Sequence, residues 1–113
     1  MSEFLYVYRG GERPSSSPEQ MQQTMQKWMA WMKDLGEKGH IKDPGHPLEP
    51  AGKLVAGNRK IVTDGPYAEK DVVGGYTLVE ARDLTQAAEL SAGCPILEVG
   101  GSVEVRPIMR LNM

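Results

Sequence analysis

Phe4-Leu5-Tyr6-Val7-Tyr8-Arg9 is the stretch on which the fold turns. Aromatic and branched residues favour a pleated backbone, and alternation sends Phe4, Tyr6 and Tyr8 to one side and Leu5 and Val7 to the other. Both sides are apolar, so the strand expects cover on both. The rest of the chain has to supply it.

Downstream, residues 10–17 read as a polar loop, and Ser17-Pro18-Glu19-Gln20 reads as a helix start: Ser17 as N-cap, Pro18 at the first helical position and Gln20 completing a capping box. Met21, Met25, Trp28, Met29, Met32 and Leu35 recur at helical spacing, and Gly36 or Gly39 offers the stop, so the helix spans Pro18 to about Lys38. From His40 to Gly52 three prolines and repeated glycines predict a long shaped loop without regular structure. Lys53–Ala56 and Lys60–Thr63 then form two short strands about a Gly57-Asn58 turn.

The segment Val62-Thr63-Asp64-Gly65-Pro66-Tyr67-Ala68-Glu69 links this hairpin to a longer strand at Val72–Glu80, in which Gly74-Gly75 marks a bulge or a close backbone approach. Asp83-Leu84-Thr85-Gln86 caps a second helix carrying Leu84, Ala87, Ala88 and Leu90, which stops at Gly93 with Pro95 just beyond. The last strand, Ser102–Met109, alternates Val103 and Val105 against Glu104 and Arg106, with Pro107 restricting it to an edge or an end. The order βα, hairpin, βα, β predicts an α+β fold: a ferredoxin-like βαββ(hairpin)βαβ subunit, its antiparallel sheet backed by two helices on one face. Two helices leave the second face bare, and a second copy of the chain is its natural cover.

At 113 residues the chain is a single domain, 1–113, with 40% hydrophobic and 25% charged residues, ordinary values for a globular protein. A net charge of -2 and no basic run argue against nucleic acid as a partner. Glu3 stands where a signal peptide would carry positive charge, no segment approaches membrane-spanning length, and the single Cys94 cannot close an internal disulfide. These features predict a cytoplasmic protein with no membrane partner.

Several side chains are candidates for chemistry. Asp64 and Glu69 offer carboxylates for proton transfer or substrate orientation, while Asp64 is equally suited to capping the turn that Gly65 and Pro66 shape. His46, in the loop near Asp43, is a candidate acid/base group; His40 follows Gly39, where pairing with the end of the helix is the alternative. Trp28 and Trp31 share a helix face with the methionines and serve either as core or as the wall of a cleft for a small apolar or aromatic ligand, to which Tyr6, Tyr8, Tyr67 and Tyr76 add hydroxyls. Arg106 either holds a substrate carboxylate or pairs with an acidic neighbour. No spacing of His and Cys suggests a metal site, Cys94 reads as a buried small residue, and no cofactor motif is present.

Taken together, residues 62–69, Val73-Gly74-Gly75-Tyr76, Gly93-Cys94-Pro95-Ile96 and residues 100–107 resemble the YCII-related proteins, in particular the branch named for its Asp-Gly-Pro-Phe motif, with Tyr67 in place of the phenylalanine. The resemblance covers nearly the whole chain. It implies a ferredoxin-like subunit paired into a dimeric α+β barrel, within a superfamily that includes muconolactone isomerase-like enzymes. For the YCII proteins proper it implies a helix-borne histidine acting with an aspartate; no histidine lies between Pro18 and Lys38, so that pairing does not carry over. The expected function is a small-molecule-binding homodimer carrying out a cofactor-free isomerase- or lyase-type proton transfer, with Asp64 and His46 moving the proton and Arg106 orienting an anion. The alternative is a non-catalytic ligand sensor or partner-binding module tied to transcriptional regulation, since relatives of this branch accompany sigma-factor-type regulators.

Overall fold

The computed structural model describes residues 1–11, 17–65 and 72–111. Strand β1 (Ser2–Gly10) lies inside a four-stranded antiparallel sheet ordered β2-β5-β1-β6, where β2 is Ile41–Asp43, β5 is Val73–Ala81 and β6 is Gly101–Pro107. Helix α1 (Pro18–Glu37) joins β1 to β2, and helix α2 (Leu84–Ser91), followed by a short 3-10 helix at Pro95–Val99, joins β5 to β6. Each β-α-β unit leaves a gap that a strand of the other unit fills, which is the interleaved order of the ferredoxin-like fold. The fold is α+β, as the alternation of patterns predicts.

Phe4, Tyr6 and Tyr8 are buried on the helical side with Thr77, Val79 and Ala81 of β5, while Leu5 and Val7 stand on the reverse. The register pairs Leu5 with Leu78 and Val7 with Tyr76, so these four half-buried side chains share the open face. Glu104 and Arg106 lie opposite Val7 and Leu5 on β6 and margin that face on one side; Lys42 and Glu80, 3.6 Å apart, margin it on the other. The chain is only 19 Å through its thinnest dimension, the depth of one sheet and one helix of about 10 Å.

Helix α1 ends as its glycines require. Gly39 adopts φ +78°, its N–H reaches the Gly36 carbonyl at 3.1 Å and the His40 N–H reaches the Leu35 carbonyl at 2.9 Å, the paired bonds of a Schellman stop. At the start of α2 the Asp83 carboxylate accepts from the Gln86 amide at 2.8 Å, and the Gln86 side chain accepts from the Arg82 amide at 2.7 Å. The bond from the Gln86 amide holds the Asp83 carboxyl below the usual carboxylate range.

Three expectations need correction. The proline-rich stretch after α1 is not loop throughout: Ile41–Asp43 forms β2, because the outer edge of β5 offers unpaired backbone groups that even one apolar residue in three suffices to occupy. The methionines of α1 are not all core. Each i, i+4 step advances about 40° round a helix, so Met25 and Met29 walk off the line of Trp28, Trp31 and Leu35 and stand exposed, as does Met21 one turn earlier. The hairpin turn is four residues rather than two: Ala56 pairs with Ile61, and residues 57–60 close through a Lys60 N–H bond to the Gly57 carbonyl at 3.1 Å.

The Gly74-Gly75 pair has both properties read from it. The register of β5 against β1 shifts beside Gly74, and at Gly75 a Cβ would stand 3.1 Å from the His46 carbonyl oxygen, so the loop passes directly over it. Pro47 bridges to Gly75, and the Leu48 N–H bonds to the Gly74 carbonyl at 2.8 Å. Beneath this loop the Tyr8 hydroxyl donates to Thr77 Oγ1 at 2.7 Å, and Thr77 Oγ1 donates to the Pro44 carbonyl at 3.0 Å.

Thr77 is fully buried, so removing its hydroxyl strands both neighbours. Thr77→Val is expected to cost about 1–3 kcal/mol, whereas Thr77→Ser, which keeps the relay, costs less. Urea denaturation of the two variants measures the difference.

Candidate functional site

A cleft of about 220 Å³ opens at the C-terminal end of β1. Its floor is the Gly10-Gly11 backbone; α1 supplies one wall through Thr24, Lys27 and Trp28, and the 3-10 helix supplies the other through Ile96, Glu98 and Val99. Two residues with positive φ, Gly10 at +67° and Gly11 at +92°, turn the chain here. A Cβ on Gly11 would stand 3.3 Å from Ile96 Cγ1, so the absence of a side chain keeps the floor open.

Trp28 reaches this wall because the residues under it fix its ring. Tyr8 meets it edge-on at 4.9 Å between centroids, and Trp31 does so at 5.9 Å. Trp31 itself is buried, lies stacked over Tyr6 at 6.1 Å, and donates from Nε1 to the Leu90 carbonyl at 3.3 Å. Of the two indoles, Trp28 lines the cleft and Trp31 belongs to the core. Tyr6 is core as well: it is fully buried, and its hydroxyl donates to the Ala87 carbonyl at 2.5 Å.

Lys27 Nζ and Glu98 Oε2 meet at 3.0 Å across the mouth, each side chain 61% exposed. An exposed pair of this kind contributes about 0–1 kcal/mol, and a ligand carboxylate can take the place of Glu98 at small cost. The walls therefore combine an aromatic surface, apolar branches and one exchangeable cation. Neither Lys27 nor Glu98 was among the sequence candidates. Their signal was the i, i+3, i+4 spacing of Thr24, Lys27 and Trp28, and the Pro95-Ile96 motif, read as a helix stop rather than as a wall.

The other candidates lie apart. Asp64 stands in β4 (Ile61–Gly65) opposite Lys53 of β3 (Gly52–Ala56); its carboxylate takes the Lys53 ammonium at 2.5 Å and its side chain is 90% exposed. His46 is exposed, its ring perpendicular to that of Tyr76 at 6.3 Å, beside the open sheet face. Arg106 sits across that face on β6 and donates to Glu104 Oε2 at 3.4 Å, while Glu104 Oε1 accepts from Arg9 Nε at 3.1 Å. Within the chain Asp64, His46 and Arg106 thus occupy the hairpin, one margin of the sheet and the other. His40 is tied to β5: Nδ1 lies 2.8 Å from the Glu80 carbonyl and the His40 carbonyl accepts from the Glu80 amide at 2.7 Å. Tyr67 and Glu69 lie outside the described residues, as does Pro66.

Among the described residues no group of three His, Cys, Asp or Glu side chains is placed to hold a metal ion, and no helix is long and apolar enough to cross a membrane. Burial pushes the Tyr6 phenol up to about 12, the Tyr8 phenol higher still and the Cys94 thiol up to about 11. All three stay neutral near pH 7, where none serves as a general base.

The family model for the YCII-related domain matches residues 4–112, and the chain belongs to that family. No curated protein matches it. Among solved structures, the 5-chloro-2-hydroxyhydroquinone dehydrochlorinase of Burkholderia phenoliruptrix AC1100, in complex with 2,5-dihydroxybenzoquinone, is similar at 21% identity with a TM-score of 0.44, the likeness covering 96% of this chain and 93% of that one.

The raised pKa values make a statement about stability. The folded state keeps protons that the unfolded chain releases, so stability is whole below the unfolded pKa values and is lost as pH rises through the folded ones. The loss begins near pH 9 with Cys94 and continues to about 12 with Tyr6, at up to ~1.4 kcal/mol per pH unit for each group. Urea midpoints from pH 8 to 11 are expected to fall, and Cys94→Ala is expected to flatten the first part of that decline.

Proposed function

We propose that this member of the YCII-related family is a homodimer that binds one small aromatic or apolar molecule, bearing an anionic group, in the Trp28 cleft of each subunit. The Asp64-Gly65-Pro66-Tyr67 segment supports a place in the Asp-Gly-Pro-Phe branch, with tyrosine as a hydroxylated variant of the last position. The observation that carries the ligand reading is the cleft itself, with an indole in one wall, Ile96 and Val99 in the other, and Lys27 at the mouth in a solvated, exchangeable ion pair. Apolar walls with one convergent polar group are the usual makings of a small-molecule site.

Pairing is supported by the open sheet face, where Leu5, Val7, Tyr76 and Leu78 make an apolar centre between charged margins. Both helices lie on the other side. A two-fold arrangement would bring each centre onto its copy and ring it with margins that each carry both charges. A non-catalytic ligand sensor or partner-binding module in the cytoplasm, tied to transcriptional regulation, would need no more than this binding.

A second reading, isomerase- or lyase-type proton transfer by His46 with Asp64 and an anion held by Arg106, is favoured by one observation. His46 and Arg106 both border the open face, so a second subunit laid there would close over them.

Binding is tested by titrating a panel of aromatic carboxylates and lactones while following indole fluorescence and melting temperature. A true ligand at a hundred times its Kd is expected to add about 2.7 kcal/mol of stability. Trp28→Ala should abolish the fluorescence response, and Lys27→Met should weaken carboxylates by about tenfold while leaving neutral lactones unchanged. If no compound moves either signal, the ligand reading is abandoned; turnover of a lactone that His46→Ala removes would establish the catalytic one.

A further inference from the structure

The β3–β4 hairpin is an exposed apolar surface that neither the fold nor the cleft explains. Among the described residues its strands pair only with each other. Val55 and Val62 stand directly opposite in register, each 59% exposed, and Lys53 and Asp64 share their side of the hairpin two pairs nearer the base. Ile61 projects from the reverse side, 57% exposed. A two-stranded hairpin alone is marginal in water, and β-branched cross-strand pairs stabilise a sheet when they are packed against something. An apolar pair with an ion pair beside it has the composition of an interface: dry centre, charged rim.

We infer that this hairpin is an arm that lies on a second copy of the chain, with Val55 and Val62 packed against it. The inference rests on the dimer reading given above, and size is what points to the second copy. A standard interface uses ~20–30 residues per partner, and the outward residues of this sheet make up about half that number. The face alone is therefore too small for a stable pair, and a second contact surface is needed.

The hairpin is placed to supply it. The chain leading into β3 leaves the sheet where Pro47 bridges to Gly75 and the Leu48 N–H bonds to the Gly74 carbonyl, beside Tyr76 and at the margin of the open face. An arm rooted there continues the sheet interface outward over whatever covers it. Two such arms, one from each copy, would clasp the dimer from both sides, as two-fold symmetry demands.

The test compares the wild-type protein, Leu78→Arg and the double variant Val55→Glu/Val62→Glu by sedimentation equilibrium, with circular dichroism as the check on folding. The expected result is a wild-type dimer, a monomeric Leu78→Arg protein, and a folded arm variant whose dimer is weaker by about tenfold or more. A monomeric wild type removes the dimer reading and the arm with it. A wild-type dimer that Leu78→Arg breaks, and that the arm variant leaves unchanged, overturns the arm alone. Hydrogen exchange on the wild-type chain gives the same decision without substitution. Amides 53–64 should become protected as protein concentration rises through the dimer constant, and protection independent of concentration overturns the inference.

Discussion

Two phenol hydroxyls buried under the helices have to find acceptors, and their solutions tie the separate pieces of this fold together. Tyr6 and Tyr8 alternate on β1, so both rings point into the same layer. Tyr6 spends its hydroxyl on the Ala87 carbonyl and thereby fixes α2 over the sheet. Tyr8 passes its hydroxyl through Thr77 to Pro44 and thereby fixes the loop after β2 along the edge of β5. An unmet buried hydroxyl costs about 1–3 kcal/mol, a large part of the stability of a domain this small. Geometry that leaves either phenol unpaired is thus disfavoured from the start, and the positions of one helix and one loop follow from a strand of nine residues.

The same two rings decide where the cleft lies. Trp31 stacks on Tyr6 and is sealed by its bond to the Leu90 carbonyl, while Trp28, one turn earlier, meets the edge of Tyr8. Beyond Tyr8, β1 continues only through Arg9 to Gly10, so the strand itself has no further large side chain on the helical side. The helix overhangs. The space beneath its overhang, bounded on the far side by the 3-10 helix, is the cleft. Met21 and Met25, carried off the line of the indoles by the drift of the i, i+4 row, stand exposed on this same half of α1.

What was legible in the sequence is what local chemistry determines. The limits of α1, the cap at Asp83, the two faces of β1 and the double role of Gly74-Gly75 each follow from a residue's own backbone or side-chain preference. What was illegible depends on partners distant in the chain. Ile41-Lys42-Asp43 is a strand because β5 has a free edge, not because its residues favour one. Asp64 sits across from Lys53 because the hairpin closes on four residues; a two-residue turn at Gly57-Asn58 would have set Val62 there, two residues away. Lys27 and Glu98 meet over a gap of 71 positions, and nothing near either residue announces the other.

Strand β1 stands between the two surfaces on which function would rest. Its even positions, Tyr6 and Tyr8, support the indoles; its odd positions, Leu5 and Val7, form the centre of the open face. A ligand against Trp28 and a subunit against Val7 would therefore touch opposite sides of one strand, hydrogen-bonded to β5 on one edge and β6 on the other. A strand held on both edges transmits displacement poorly but cannot move without moving both neighbours. Coupling between ligand and partner, if β1 carries it, has to take the form of a shift of the whole sheet against α1, and linkage makes it reciprocal: a ligand that tightens the dimer is itself held more tightly by the dimer, by the same factor.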